Sequence, residues 1–410
     1  MLICSLIPTE TRILRLDKVS GRLRTFRTAV SLHSHTHHSR ENLGFLPYYV
    51  NRIPVIADLV RSKLKDHEKR YGKPIDFKRG YWMPPASPGM LLASEIEQIE
   101  RCLGLASLVS ITDHDSIAAG LSLQQQPTTV PVPISVEWTI PFASNFFHVG
   151  VHSLPPDRAP QIMRELEQYT AEPNEERLGN LLSFLESWPE TLLVLNHPCS
   201  DFVKVGRAIH NASLEEFVRR WRPWIHAFEL NGMRPWPEND AVIHMAEALD
   251  LPVVAGGDRH GLRPNTVLNL SPAESWGEFV EEVRKYRRSE IVVLPSYEEP
   301  VKLRELATAS DALRHYPDHR EGRCRFTDRV FIDVWDRGMQ PLSFYWAEDN
   351  ARQPRWLSPA TRVLMALGSN PVRPVLRRLL SLRGEYDDVN WTPAGEYRHD
   401  ALIANTSSAK

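Results

Sequence analysis

Seven short apolar runs in this chain each end on residues that can bind a metal. In order they read SLHSH (His33, His35), LVSITDHD (Asp113, His114, Asp115), PISVEW (Glu137), FFHVGV (His148), LLVLNHP (His197), AFELNG (Glu229) and VVAGGDRH (Asp258, His260). One histidine beside a hydrophobic strand is most often a satisfied core residue. An ordered series restricted to His, Asp and Glu points instead to one buried cluster, gathered where successive strands end together. A barrel of parallel strands provides such a mouth, at the end where barrel active sites lie.

Bulk properties exclude several classes. At 410 residues the chain can hold one large domain with an appendage, or two domains. Its apolar content of 42% and charged content of 24% are those of a globular protein. A formal net charge of −2 gives no whole-chain argument for nucleic acid or membrane as partner. No run reaches the roughly 18 apolar residues of a membrane span, and the N-terminus, interrupted by Glu10 and Arg12, does not read as a signal peptide. Cys4, Cys102, Cys199 and Cys324 are far apart and form no CxxC pair, so reduced thiols and a cytoplasmic location are expected.

Strand-like segments alternate with helical ones, which predicts an α/β fold with a mainly parallel sheet and crossover helices. Strands are expected at 27–35, 106–112, 133–136, 146–151, 191–195, 225–230 and 252–255, about seven in all, a number suited to a (β/α) barrel. Helices are expected between several of them, at 160–170, 178–187, 214–221 and 238–249. Ser87 followed by Pro88 predicts a capped helix start, running to about Leu103. An excursion from Asn42 to Pro88 contains a helical pattern from Ile53 to Tyr71. It reads as a lid carrying Tyr48, Tyr81 and Trp82, or equally as a hairpin packed on the barrel side. The ligand pattern ends near residue 296, so 1–296 is expected as the barrel and 297–410 as an accessory domain or an apron packed on it.

Each motif has a bland alternative. His33 and His35, two apart on a strand, share a face and can grip one cation, but histidine pairs also arise by chance. TDHD supplies an imidazole flanked by carboxylates, or simply a turn. Glu137 at a buried strand end is costly unless it is paired or bound to metal. His148 and His197 taken singly read as core histidines, and GGDRH as a Gly-rich surface turn. The ensemble carries the argument. Its nitrogen and oxygen donors suit Zn, Mn or Fe.

The order HxH, TDHD, strand-end Glu, strand His, HP and GxDxH resembles the PHP (polymerase and histidinol phosphatase) family of metal-dependent phosphoesterases, over about Thr28 to Leu270. The resemblance implies a distorted (β/α)7 barrel, here with an inserted helical segment after the first strand and a C-terminal extension. It also implies two or three divalent metal ions. His33, His35, Glu137 and Asp258 would hold one, and Glu137, His148 and His197 a second. His114 and His260 would hold a third, with Glu41 where the family has Asp or His; Arg40, at the neighbouring position, departs from the pattern. The implied reaction is hydrolysis of a small phosphorylated substrate by a metal-bridging hydroxide. Asp115 or a metal-bound water would protonate the leaving group, and Arg259 and Arg263, near the mouth, are candidates to bind phosphate or, for at least one of them, to form an ordinary surface salt bridge. Alternatives are a nuclease, kept open by the basic stretches Arg284–Arg288 and Val372–Arg383, and a metal-bearing scaffold without catalysis. Other barrels of this kind act on amides. Composition assigns no membrane role and no oligomeric state.

Overall fold

The computed structural model describes residues 8–19, 21–44, 46–47, 54–72, 74–126, 130–334, 337–348, 353, 355–382 and 396–400. The fold is mixed α/β. Its strands are β1 (Glu10–Arg15), β2 (Thr28–Ser34), β3 (Glu41–Asn42), β4 (Tyr81–Trp82), β5 (Ala106–Val109), β6 (Ile134–Phe142), β7 (Asn145–Leu154), β8 (Leu192–Asn196), β9 (Ala227–Asn231), β10 (Val253–Arg259), β11 (Val267–Ser271), β12 (Arg288–Val293), β13 (Val330–Asp333), β14 (Met339–Pro341) and β15 (Glu396–Asp400). Eleven of them make one large sheet in the order β15-β1-β12-β11-β2-β10-β9-β8-β7-β6, with β5 paired to β2. The other four form a small sheet, β14-β13-β4-β3.

Every residue of β2, β8, β9 and β10 is buried. Strands covered on both faces read as continuous apolar runs, and the few polar residues such runs contain are therefore buried too. Helices Ala159–Ala171, Glu175–Glu186, Arg207–Trp221 and Trp236–Ala248 cover the sheet through rows such as Ile162, Met163, Leu166 and Tyr169. Helix Pro88–Leu103 starts as expected: Ser87 Oγ accepts from Met90 N at 3.3 Å, and Gly104, at φ 64°, ends it in the left-handed conformation.

Strands β2, β10, β9, β8, β7 and β6 pair in succession, and β5 flanks β2 on the other side. Between β5 and β6, among the described residues, the pairing is an isolated parallel bridge, His114 to Glu137, with Asp115 N donating to Glu137 O at 3.0 Å and Glu137 N to Asp113 O at 3.2 Å. The seven strands thus meet at a seam one residue pair wide.

One expectation is corrected. The sheet is not mainly parallel around Glu137: β6 and β7 form an antiparallel hairpin turned at residues 143–144, and β7 is antiparallel to β8. Both runs are longer than their apolar cores suggested, so Glu137 and His148 lie inside strands. Described parts of 297–410 contact the rest of the chain. β13 pairs with β4 of the 42–88 excursion, β15 pairs with β1, and Arg304, 5% exposed, donates to the carbonyls of Gly232 and Arg234. Within the excursion, helix Pro54–Tyr71 is joined to the extension by His67 Nδ1 and Tyr345 Oη at 3.0 Å. Tyr48 lies outside the described residues. Cys102, Cys199 and Cys324 are free thiols, and no described helix is long and apolar enough to cross a membrane.

Arg329 organises this extension. It is 1% exposed and donates to the carbonyls of Ala312, Arg314, Arg323 and Cys324. Arg329→Met leaves these buried acceptors unpaired and should cost roughly 3 kcal/mol in urea unfolding. A loss below about 0.5 kcal/mol, the range of ordinary surface substitutions, would show that the extension does not depend on it.

Candidate metal centre

Glu137 is fully buried, and both its oxygens are surrounded by imidazoles. Oε2 lies 3.0 Å from His33 Nε2, 3.4 Å from His35 Nε2 and 3.1 Å from His114 Nδ1. Oε1 lies 3.3 Å from His148 Nδ1 and 3.0 Å from His197 Nε2, and accepts from Asn196 Nδ2 at 3.0 Å. Two further carboxylates flank this centre. Asp258 Oδ1 is 3.5–3.6 Å from His35, His33 and His260. Glu41 Oε2 is 3.1 Å from both His114 and His260.

The nine residues expected as ligands are therefore brought together. They fall into four overlapping groups that could each hold an ion: His35, Glu41, His114 and His260; His33, Glu137 and His197; His33, His35 and Asp258; and His114, Glu137 and His148. Several of these atoms are close without being aligned for hydrogen bonding. His33 Nε2, His35 Nε2, His114 Nδ1, His148 Nδ1 and Glu137 Oε2 are buried with no hydrogen-bond partner among the described residues. Buried polar atoms are rarely left so, and a set of them converging on common points is what bound cations would satisfy.

Local backbone geometry aims the side chains. His33 (φ 65°), Asp115 (φ 47°), His197 (φ 31°) and Asp258 (φ 52°) all adopt the left-handed region. Non-glycine residues enter it at a cost that the surroundings must repay, and functional sites collect them. Asp113 accepts from Thr36 N at 2.5 Å and Thr36 Oγ1 at 2.7 Å, tying the loop after β5 to the loop after β2.

The charges balance by alternation. Burial opposes ionisation of Glu137, yet His33, His114 and His148 hold it well below the usual carboxylate range. Asp258 and Glu41 are likewise depressed by neighbouring imidazoles against the effect of burial. Burial works against a charge on His114 too, but Glu41 and Glu137 raise it to about 10. His35 and His148, where burial wins, fall to about 4.

Three residues need comment. Arg259 does not face the centre. Strand alternation sends it opposite to Asp258 and His260, where it meets Glu95 at 2.8 Å and Ser94 Oγ at 2.9 Å; its expected role as a phosphate-binding residue is withdrawn. Asp115 is half-buried, accepts from Thr139 N at 2.8 Å, and is raised by burial to about 6. Arg263 is spent on Gly368 O and Asn370.

Glu229, noticed as a strand-end acid but not assigned as a ligand, holds the far side of His33: its Oε1 is 2.5 Å from Nδ1, while Oε2 accepts from His197 N and Asn231 Nδ2. A carboxylate behind a ligating imidazole fixes its tautomer and orientation. Around the rim, Trp82 stacks on His260 with centroids 5.9 Å apart. Phe202 packs against His197 at 4.8 Å, and Arg234 lies over Phe202 at 4.7 Å, with Nη2 3.6 Å from Asp258 Oδ2.

A proton count follows. His114, at about 10 against an ordinary 6.5, contributes stability to the metal-free fold that is complete below pH 6.5 and lost as pH rises through about 10. Cations taken up near neutral pH must displace such protons. Zinc titrations in buffers of differing ionisation heat should show net proton release; buffer-independent heats would contradict this. Gly256 offers a second check, because a Cβ there would sit 1.6 Å from Glu229 Oε1. Gly256→Ala should destabilise by about 2 kcal/mol and lower bound metal by elemental analysis. Unchanged stability and metal content would mean that Glu229 can move freely.

No protein-family model matches the sequence, and no curated protein does. Among solved structures the chain is similar to PsfC from Pseudomonas syringae, at 13% identity and a TM-score of 0.35, over 50% of this chain and 84% of that one. It is also similar to a candidate metal-dependent phosphoesterase from Bifidobacterium adolescentis (15% identity, TM-score 0.26, 44% and 85% covered). A third is an amidohydrolase from Chromobacterium violaceum with bound sulfate and no metal (15%, 0.27, 43% and 83%). Overlap of this extent leaves the chemistry to be argued from the residues.

Proposed function

We propose that this chain is a metal-dependent phosphoesterase of the PHP type, built on a distorted seven-stranded barrel and acting on a small phosphorylated molecule. The observation that carries the reading is the convergence of the unpartnered buried nitrogens of His33, His35 and His114 on the unpartnered Oε2 of Glu137, with the unpartnered Nδ1 of His148 beside its other oxygen. The donors are imidazole and carboxylate only, a set suited to Zn, Mn or Fe. Glu137 can serve two ions because its two oxygens face different imidazoles.

Divalent cations held there would act as Lewis acids and lower the pKa of water. The chain's own residues do the rest. Glu229 and Asn231 lock His33 and Asp258 in place, Asn196 orients Glu137, and Ser39 donates to Glu41 at 2.6 Å. Phe202 and Trp82 wall the rim with apolar surface that keeps water from the reacting phosphorus. Arg234, 24% exposed and stacked on Phe202, takes the phosphate-orienting role first expected of Arg259. Asp115, held by Thr139 N, remains the candidate proton donor to the leaving group.

Of the basic residues within 284–288 that keep the nuclease alternative open, Arg284 donates to the carbonyls of Glu186, Trp188 and Thr191, and Arg287 to Thr9 and the Asp250 carbonyl. Lys285 and Arg288 stay exposed.

The test is elemental analysis of protein purified without chelator, with the same sample assayed on phosphomonoesters, phosphodiesters and amides. Two or three equivalents of transition metal and turnover of phosphate esters are expected. Glu137→Gln should lose at least about 100-fold in kcat, and Arg234→Met should raise KM about 10-fold. Bound metal with turnover of amides alone would transfer the chain to another hydrolase class. Bound metal without turnover on any of the three panels would favour a structural site.

A further inference from the structure

A second cluster of titratable side chains stands beside the metal centre, and the reading above leaves it unused. His37 and His38 follow the ligand His35 in the loop after β2; His319 and Arg320 come from the C-terminal extension. The ring of His37 is 4.6 Å from that of His38 and 5.0 Å from that of His319. Arg320 Nη1 donates to His38 Nδ1 at 2.9 Å. His37 and His319 are 6% and 4% exposed, whereas His38 and Arg320 are half-buried and leave the cluster open on one side.

Its polar atoms are poorly satisfied. His37 Nδ1 and Arg320 Nε are buried without a hydrogen-bond partner. His319 Nδ1 donates to Arg320 O at 3.0 Å, and the Pro84 carbonyl lies close to the same ring. The nearby carboxylates are committed elsewhere: Glu321 pairs with Arg323 at 2.5 Å, and Asp113 is held by Thr36. Arg40, exposed and stacked over Tyr81 at 5.3 Å, and Arg323 add further positive charge at the edge.

His37 Nδ1 and Arg320 Nε leave polar groups of this cluster unspent among the described residues. A cation does not fit, because the Arg320 guanidinium already occupies His38 Nδ1. An anion does fit: it would take N–H donors from the guanidinium and the rings, beside the positive charge of Arg40 and Arg323. We propose that His37, His38, His319 and Arg320 form a subsite for a second anionic group, phosphate or carboxylate, carried by the substrate of the neighbouring metal centre. As a substrate subsite it rests on the phosphoesterase reading. His37 is two residues from His35, so the two sites are separated by about 7 Å of backbone, the span of a small molecule with an anionic group at each end.

Inorganic phosphate titrated into the full-length protein, stripped of metal, tests the anion site by calorimetry. The metal-free centre balances its carboxylates with protonated imidazoles such as His114, so the subsite is assigned by the change in affinity on substitution and not by binding alone. Arg320→Met, at a half-exposed position, should weaken binding at least about 10-fold, with partial recovery in Arg320→Lys. His37→Gln should weaken it too. No binding by the unsubstituted protein, or equal affinity in Arg320→Met, overturns the proposal.

A kinetic comparison on the metal-loaded enzyme tests its connection to substrate. Arg320→Met should raise KM at least about 10-fold for an ester bearing a second anionic group and less than about 2-fold for the matching ester without it. Equal changes on both esters overturn the substrate assignment. If no phosphate ester is turned over while the titration still separates Arg320→Met from the parent, the phosphoesterase reading fails and the anion site stands.

Discussion

A carboxylate with no solvent exposure, Glu137, is the group around which the rest of the molecule is arranged. Burying such a charge alone costs several kcal/mol, and the cost is offset only if its partners are placed accurately. Those partners come from β2, β7 and the segments after β5 and β8, and each is secured in turn: His33 by Glu229, His114 by Glu41, and Glu41 by Ser39. Positive and negative groups alternate outward for at least two layers. This alternation requires the strands to end together, and it requires left-handed backbone at His33, His197 and Asp258.

Much of the centre was legible in the chain because each piece is local. HxH on a strand, TDHD after one, and GGDRH at the end of another specify their own side-chain directions, and the five residues they suggested meet Glu41, Glu137, His148 and His197 in overlapping groups. Glu41 could be placed through its offset from His33, although Arg40 stands at the neighbouring position. The direction of Arg259 was also readable in principle, since a residue between two ligands on a strand must face the other way. What misled was the habit of expecting an arginine near a phosphate site. Glu229 carried the right signal, a strand-end acid, but its role behind His33 depends on a contact across 196 residues that no local pattern encodes.

The pairing partners were less legible. The turn at 143–144 separates two apolar runs that a helix could equally have joined. Strands β3 and β4 are two residues long, too short for any periodicity, and β13 reaches them across about 250 residues of sequence. The excursion and the extension, which read as two appendages, are one wall. Met83 N donates to Arg329 O, Asp311 accepts from Leu262 N in the loop just past His260, and Trp82 covers His260 from that wall.

The contact between β5 and β6 serves two purposes. Every other junction along these seven strands is a ladder of two or more residue pairs, while this one is a single bridge whose two members are His114 and Glu137. Two backbone hydrogen bonds hold it, and the same two residues bring their side chains within 3.1 Å in the centre. A substitution at either therefore acts on the joint between strands and on the charge of the site together.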